Sequence, residues 1–382
     1  MRRINLRAAG MIAVAAGMVA AAAACQSGGN TGTTAACGGK IATFGAFTGE
    51  NAGLVIPSLN GAKLAVKQFN AANPNCTVTL VEFDTQGDPT VATPIANQVS
   101  ADATFLAVIG GHFSGETAAT APIYQAAGLA MVSPSATRLD LTAQGWKNFH
   151  RVVGNDGTQG KAVAAYLKNN DAKKVFTIDD GSPYGAGIVD ELKKAVGSAV
   201  AVESDKVVEQ QTEFSTLVGK VKASGAEYIF WGGYTREAAP FLKQARDGGV
   251  TAKFIGPDGL YDPGFATGAS GAAEGAIITC PCLPAAEAGG TFSADYKAEY
   301  GTEPGSYGAE GYDAATVYLD AFKAGKQTRA DILAFVSSYD AQGVSKYIKF
   351  DANGDVDPAK VVIWSYEIKG TSFEPLEALS LS

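Results

Sequence analysis

The sequence predicts an α/β protein with two doubly wound lobes, each a parallel sheet covered by helices. Short apolar runs such as Phe105–Ile109 and Leu129–Val132 are bounded by Gly, Ser or Pro and are too short for helices. Such runs suit strands that are buried on both faces of a parallel sheet. They alternate with helix-like stretches such as Thr117–Ala127. Repeated strand–helix units of this kind wind into parallel sheets with right-handed crossovers.

This alternation continues along most of the chain. The predicted strands are Ile41–Phe47, Thr77–Phe83, Phe105–Ile109 and Leu129–Val132, and then Lys174–Ile178, Val200–Val207, Tyr228–Trp231 and Lys253–Ile255. They are too many for one comfortable open sheet, so two lobes are expected, with a cleft between them as the preferred ligand site. Near the C-terminus, Lys346–Asp351 and Val361–Ile368 flank Asn353-Gly354 and predict a hairpin with a type I′ turn.

Length and charge exclude several classes of function. A chain of 382 residues is too long for one average domain. The net charge is −8 and no Lys/Arg cluster occurs, which argues against a nucleic-acid partner. The two histidines, His112 and His150, lie far apart and have no Cys or His at ligand spacing, so no metal site is expected. No phosphate-binding loop or dinucleotide fingerprint occurs, so no cofactor is expected either.

The N-terminus predicts export. Residues 1–24 form a signal peptide with a basic start and an apolar run that ends in Ala22-Ala23-Ala24-Cys25. Small residues before a cysteine resemble a lipobox, in which Cys25 is diacylated and becomes the mature N-terminus. Residues 25–39 are then the lipidated N-terminus and a flexible tether rich in Gly, Ser, Thr and Asn. The alternatives are ordinary cleavage that leaves a free cysteine, or a retained transmembrane helix.

Four further cysteines make disulfides plausible in an exported protein. Cys37 precedes the first predicted strand and Cys76 opens the second, so neighbouring parallel strands would bring them together. Cys280 and Cys282 are left as a local pair. Because a bond across one intervening proline would be strained, free thiols are the alternative there.

Polar and aromatic residues gather where the predicted strands end, which is where open α/β sheets bind ligands. The segments are Ala46–Gly53, Phe113–Thr117 and Ser133–Thr137 in one lobe, and Ser182–Gly185, Trp231–Tyr234 and Gly256–Gly259 in the other. They supply hydroxyls and backbone amides for a carboxylate, one carboxylate for a cation, and apolar walls. This chemistry suits a zwitterion with an apolar tail, so the expected ligand is a small amino acid.

The ordered set of motifs resembles the periplasmic leucine/isoleucine/valine-binding proteins, which are receptors of branched-chain amino acid ABC transporters. The resemblance covers about the whole mature chain. Its motifs are Gly45-Ala46-Phe47-Thr48-Gly49, Asn60-Gly61-Ala62, Phe83-Asp84, Val108-Ile109-Gly110, Ser133-Pro134-Ser135-Ala136-Thr137, Tyr184-Gly185, Gly232-Gly233-Tyr234 and Gly256-Pro257-Asp258-Gly259. Each motif is weak alone, whereas the order is specific. The implied fold is the type I periplasmic binding fold.

The resemblance implies a role for each matching residue. Ser114 and Thr137 would bind the α-carboxylate, with help from the Tyr234 hydroxyl. The Ser135 carbonyl, the Thr137 hydroxyl and the Asp258 carboxylate would bind the α-ammonium. The expected walls of the side-chain pocket are Leu54, Phe113, Ala136, Tyr184 and Tyr307. Two residues depart from the family: Asp258 replaces a longer glutamate, and Leu54 falls where the best-known members have tryptophan, which leaves the preference for leucine open.

The resemblance also implies the domain organisation and the partners. Lobe 1 is expected to contain residues 40–152 and 283–346, and lobe 2 residues 153–282 and 347–382, joined by a three-segment hinge. The implied protein is a monomeric receptor without enzymatic activity, held by its lipid at the outer face of the cytoplasmic membrane. It would deliver its ligand to an ABC transporter permease.

Two other functions were weighed. A sensor of the same fold would bind a small amide or another small solute. An exported hydrolase would use Ser114, but in Gly111-His112-Phe113-Ser114-Gly115 the serine is fourth, where a nucleophile elbow needs it third.

Overall fold

The structure is a computed structural model, and it describes residues 37–380. The predicted signal peptide, Cys25 and most of the tether lie outside the described residues. The strands are β1 (Cys37–Gly45), β2 (Cys76–Asp84), β3 (Phe105–Ile109), β4 (Ala130–Ser133), β5 (Phe149–Arg151), β6 (Lys174–Asp179), β7 (Ala201–Lys206), β8 (Tyr228–Gly232), β9 (Lys253–Gly256), β10 (Ile277–Cys280), β11 (Asp340–Gln342), β12 (Tyr347–Lys349), β13 (Ile363–Lys369) and β14 (Ser372–Leu379). The α-helices are α1 (Ala52–Ala72), α2 (Pro89–Ala101), α3 (Ser114–Ala126), α4 (Asp156–Asn169), α5 (Pro183–Val196), α6 (Ser215–Ser224), α7 (Thr235–Asp247), α8 (Pro263–Gly268), α9 (Phe292–Tyr300), α10 (Gly308–Lys323) and α11 (Arg329–Ser337).

Two separate sheets confirm the predicted doubly wound α/β fold. The first sheet has five parallel strands in the order β2-β1-β3-β4-β5. The second has the order β14-β13-β10-β9-β8-β6-β7. Its strands β6 to β10 are parallel, and β13 pairs antiparallel with both β10 and β14. Every residue of β4 and β8 is buried, as expected for strands with helices on both faces.

Both sheets reverse their winding direction in the same way. The first strand of each unit lies between the second and the third, so β1 separates β2 from β3 and β6 separates β7 from β8. Helices leave such a point toward opposite faces and open a crevice beyond the carboxyl ends of the strands. The structure therefore contains two crevices, one for each sheet.

Helices α1 and α10 pack with their backbones in direct contact, beside the first sheet. A Cβ atom on Gly61 would lie 2.0 Å from the carbonyl oxygen of Gly308, and one on Gly311 would lie 2.0 Å from that of Ser58. Only glycine fits at such distances. The two helices therefore form one rigid pair.

The described chain passes between the two sheets three times. The first connection, residues 152–155, leads from β5 to α4, which packs on the second sheet. The second, residues 281–291, leads from β10 toward α9 and α10. The third, residues 350–362, leads from β12 to β13. The predicted lobe boundaries stay a prediction. Because β12 pairs with β11 and not with a strand of the second sheet, the structure favours a third boundary a few residues after Lys346.

The predicted C-terminal hairpin is wrong. Its first strand, β12, pairs with β11, and its second, β13, pairs with β10 and β14. The Asn353-Gly354 turn exists, with Gly354 at φ +95°, but it serves the third connection. The turn is at the predicted place, but it is not of type I′, because Asn353 does not have the positive φ that this type requires. The strand partners depend on which strands of the sheets are available.

Both cysteine pairs are disulfide-bonded in the structure. Cys37 and Cys76 are direct neighbours across β1 and β2, and Cys280 is bonded to Cys282 at the end of β10.

No helix among residues 37–380 is long and apolar enough to cross a membrane.

The two disulfides should differ in their effect on stability. The Cys37–Cys76 bond closes a loop with a sequence separation of 39 residues, whereas Cys280–Cys282 closes one of 2. Because a cross-link stabilises more when it closes a longer loop, Cys37→Ala/Cys76→Ala should lower the free energy of unfolding by about 2–4 kcal/mol. Cys280→Ala/Cys282→Ala should cost less. Urea unfolding of both double variants measures this, and an equal loss would contradict the loop-length argument.

Candidate functional site

The first sheet contributes residues from the crevice between β1 and β3 and from the end of β4. Leu54 lies in the first turn of α1, which follows β1. Phe113 is the N-cap residue of α3 and Ser114 is its first residue, directly after β3. Ser135 to Thr137 form the loop after β4. The first N–H groups of α3 have no partners within the helix, so this end of the site favours an anion.

The second sheet contributes the opposite side of the site. Tyr184 lies in the first turn of α5 after β6, and Tyr234 is the N-cap residue of α7 after β8. Asp258 begins a short 3₁₀ turn after β9. Tyr307 comes from the side of the first sheet, where it precedes α10 with φ at +57°, a left-handed conformation that is costly for a bulky residue. Tyr307 therefore has a backbone held in place by its surroundings.

These residues surround one small space with a volume of about 10 Å³, which we call the inner cavity. Its lining is Leu54, His112, Ser114, Ser135, Thr137, Tyr184, Tyr234, Asp258 and Tyr307. A space of this size holds about one water molecule, so a solute fits only when the surrounding residues move apart. Two expected wall residues are not in the lining. Ala136 packs into the apolar cluster of the first sheet, and Phe113 lies beside Tyr234, with ring centroids 5.2 Å apart.

The loop after β4 is fixed by hydrogen bonds from beneath. The Ser133 hydroxyl accepts from the backbone N–H of Ala136 at 2.9 Å. The Arg151 guanidinium, which is fully buried, donates to the carbonyl oxygens of Ala136 and Arg138 at 3.1 and 2.7 Å. The Ser135 hydroxyl donates to the His112 carbonyl at 2.9 Å, so this hydroxyl is already engaged inside the protein. The loop is therefore rigid before any ligand arrives.

Asp258 is the anionic centre of the inner cavity. Its side chain is buried and accepts hydrogen bonds from the hydroxyls of Tyr184 at 2.7 Å and Tyr307 at 2.5 Å. Burial raises the pKa of this carboxyl, and the two tyrosine hydrogen bonds oppose the rise. Burial and the Asp258 charge raise the pKa of both phenols, so they stay protonated and donate.

A second buried carboxylate lies behind the cavity wall and was missed in the sequence. Asp156 begins α4 and is fully buried, yet neither carboxylate oxygen accepts a hydrogen bond of normal geometry. Burial, and next the charge of Asp258, raise the pKa of Asp156 well above its ordinary value, while the Thr137 hydroxyl and Arg151 oppose this. The Thr137 hydroxyl is likewise buried without a hydrogen bond of normal geometry. The signal in the sequence was a polar residue soon after β5, at another strand end.

His112 also lines the cavity and was missed as a wall residue. Its Nδ1 atom lies 2.8 Å from the Phe44 carbonyl oxygen, which only accepts, so Nδ1 carries the hydrogen. Its Nε2 atom lies 3.4 Å from the Ser58 hydroxyl. Burial lowers the pKa of His112 to about 4, so the ring is neutral at physiological pH. Because both ring nitrogens have these partners, His112 does not serve Ser114 as a base.

A wider and more open space, the outer cavity, lies beyond the rings of Phe113, Tyr184 and Tyr234. It is lined from both sheets and leads to solvent. At its mouth, Arg236 of α7 forms an exposed ion pair with Glu50 from the loop after β1. The aromatic rings therefore separate the inner cavity from solvent.

Within residues 37–380, no group of three His, Cys, Asp or Glu side chains is arranged to hold a metal ion.

Known proteins share both the sequence pattern and the fold. A sequence model of the periplasmic binding protein family matches residues 39–361. The Leu/Ile/Val-binding protein of Escherichia coli (strain K12) is 33% identical over 249 residues, which are 63% of this chain and 67% of that protein. This chain is also similar to a crystal structure of a leucine-binding protein from Thermotoga maritima, with a TM-score of 0.82, 27% identity, and coverage of 89% and 98% of the two chains.

A second solved structure is a branched-chain amino acid transporter substrate-binding protein from Streptococcus pneumoniae in complex with isoleucine. It has a TM-score of 0.80 and 25% identity, and the match covers 88% of this chain and 99% of that one. The family consists of extracytoplasmic binding proteins rather than enzymes. The chain belongs to the periplasmic binding protein family and has the fold of its Leu/Ile/Val-binding members.

Proposed function

We propose that the protein captures a small aliphatic amino acid, of the branched-chain type, in the inner cavity. The observation that carries this proposal is a charge imbalance. Asp258 lines the cavity and Asp156 lies directly behind it, whereas the described lining includes no lysine or arginine. Asp258 has no cation in this lining, and Arg151, the cation that acts on Asp156, already forms an ion pair with Asp355. A buried carboxylate without a cation is costly, so the cavity favours a ligand that brings a positive charge.

The other end of the cavity supports the second half of a zwitterion. Ser114 lies at the N-terminus of α3, and its hydroxyl oxygen accepts from the backbone N–H of Arg138 at 3.2 Å while keeping its own hydrogen for donation. The Thr137 hydroxyl lies nearby without a hydrogen bond of normal geometry. A ligand carboxylate would bind here through charge-assisted hydrogen bonds, which are short and strong in a closed site. Leu54, Tyr184 and Tyr307 would contact an apolar side chain.

The proposal extends to transport. The relatives include a Leu/Ile/Val-binding protein and a transporter substrate-binding protein with bound isoleucine, which supports delivery of the ligand to the permease of an ABC transporter. The sequence before residue 37 supports export with a signal peptide and diacylation of Cys25, so that a lipid anchors a monomeric receptor to the membrane. The closed cavity requires the two sheets to separate for ligand entry.

A ligand screen is the direct test. Thermal unfolding with each of the twenty amino acids, urea, short amides and benzoates should show the largest rise in Tm with leucine, isoleucine or valine. Ligand at 100-fold over Kd stabilises the folded state by about 2.7 kcal/mol. No shift with any aliphatic amino acid would defeat the branched-chain assignment. A shift with an amide or a benzoate alone would favour a small-solute sensor.

Removing the Asp258 charge should weaken binding. In Asp258→Asn the ligand ammonium would lie in a buried site with a neutral amide, and the affinity should fall by about 2–5 kcal/mol, measured by titration calorimetry. Asp190→Asn is the matched control, because it makes the same change at an exposed position on α5. An affinity in Asp258→Asn equal to that of the control would remove Asp258 from the site.

The buried Asp156 carboxylate should lower the stability of the ligand-free protein. Folding raises the pKa of Asp156, so the folded state holds its proton more tightly than the unfolded chain does. The resulting stabilisation is complete below the ordinary pKa of about 4 and is lost as pH rises through the higher pKa of the folded state. Asp156→Asn should therefore raise the Tm of the ligand-free protein at pH 7–8 relative to the wild type, and less so at pH 4. A lower Tm across the whole range would contradict this.

A further inference from the structure

A buried ion pair joins the connections between the two sheets. The Lys346 ammonium lies 3.0 Å from a carboxylate oxygen of Glu310, and their side chains are 8% and 1% exposed. The same ammonium donates to the Val152 carbonyl at 3.1 Å and to the Ser345 hydroxyl at 2.9 Å. A lysine ammonium has three hydrogens, so these three acceptors satisfy it completely.

The partners of this pair belong to different connections. Val152 begins the first connection, and Leu283 in the second connection donates its backbone N–H to Glu310 at 3.3 Å. Lys346 directly precedes β12, after which the third connection begins. We call Glu310, Lys346, Val152 and Leu283 the hinge cluster.

Neighbouring contacts strengthen the cluster from the side of α10. Asp313 lies one helical turn after Glu310 and is fully buried. Its carboxylate accepts from the backbone N–H groups of Val344 and Ser345 at 2.7 and 2.8 Å and from the Ser345 hydroxyl at 2.5 Å. The residues next to Lys346 are therefore tied to the same helix. These bonds fix the backbone next to Lys346 relative to α10.

Helix α10 also links the hinge cluster to the inner cavity. Tyr307 precedes the helix by one residue and donates to Asp258 of the second sheet, while Glu310 lies three residues further on. One rigid element therefore carries both a cavity contact and the anchor of the connections. The exposed Arg236–Glu50 pair at the cavity mouth also spans the two sheets, but an ion pair of that kind contributes little.

We propose that Glu310 and Lys346 are positioning residues that hold the three connections in the arrangement that closes the two sheets around the ligand. Neither residue lines the inner cavity, so they act through Tyr307 and through the connections. Rotation at the connections withdraws a buried ammonium from acceptors that water does not readily replace, and this loss favours the closed form. The proposal rests on the proposed function, because it takes the ligand site to lie between the sheets.

Four variants test this. Glu310→Gln keeps an acceptor for Leu283 but leaves the Lys346 charge unpaired, which is destabilising in a buried position. Lys346→Met/Glu310→Gln removes both charges and keeps that acceptor, so it is the variant of choice if the single one does not fold. Arg236→Met is the matched control, because it removes an ion pair that spans the sheets at an exposed position.

The readouts are small-angle X-ray scattering without ligand and stopped-flow kinetics with L-leucine as the probe. Lys346→Met/Glu310→Gln should have a larger radius of gyration than the wild type, and its koff should rise at least fivefold while kon stays within twofold. Lys346→Arg keeps a cation beside Glu310, so it should show at most half of the rise in koff that the double variant shows. Arg236→Met should behave as the wild type. A folded double variant with the wild-type radius of gyration and koff would overturn the proposal.

The outcomes separate the two proposals. If L-leucine and the other amino acids do not bind the wild type, the proposed function fails, whereas the scattering comparison of the ligand-free proteins still decides on the hinge cluster. If L-leucine binds the wild type and the double variant equally, with the same radius of gyration, the hinge cluster has no role in closure and the proposed function stands.

Discussion

Asp258 is buried between two tyrosines that reach it from different parts of the chain, Tyr184 after β6 and Tyr307 before α10. The carboxylate keeps hydrogen-bond donors on both oxygens, yet it receives no positive charge from the described cavity lining. Hydrogen bonds alone stabilise a buried charge incompletely, so the folded protein retains an electrostatic cost at this point. Asp156 adds to it. A site that is costly when empty binds strongly to whatever removes the cost.

The two sheets provide the opposite ends of this site through the same winding order. In the first sheet the crevice between β1 and β3 directs the N-terminus of α3 and the Ser135–Thr137 loop toward the cavity. In the second sheet the end of β9, next to the corresponding crevice, brings Asp258 to the same cavity. Hydrogen-bond donors suited to an anion come from one sheet and the carboxylate comes from the other. Neither sheet alone offers a complete site for a zwitterion, so the relative position of the sheets decides whether a site exists.

Much of this arrangement was predictable, because parallel strands with helices on both faces leave a strong pattern. The run from Phe105 to Val132 contains β3, α3 and β4 close to the predicted bounds, and the polar segments after these strands do meet at the inner cavity. Their roles in binding stay predictions. The positions of Asp156 and His112 were not predictable, because burial beside the cavity depends on how loops from different strands meet, which local sequence does not give. Ala136 was expected in the wall, but its side chain direction depends on the turn held by Ser133 and Arg151, which sequence spacing does not give.

The failure of the C-terminal hairpin has a different cause. Asn353-Gly354 is a strong local turn signal, and the chain does turn there. Strand pairing, however, depends on which sheet edge is available, and β13 finds β10 while β12 finds β11. Such long-range competition is invisible to a local pattern.

The glycine contacts between α1 and α10 have a consequence for how selectivity is divided. Leu54 lies in the first turn of one of these helices and Tyr307 precedes the other. Backbone contact at Gly61 and Gly311 leaves the helices no room to shift against each other. The width of the space between Leu54 and Tyr307 is therefore fixed before the sheets close. In the site proposed above, a solute would meet this space first as it enters, and its charge would meet Asp258 only when the sheets close. A solute of the wrong width would then be rejected before closure is complete.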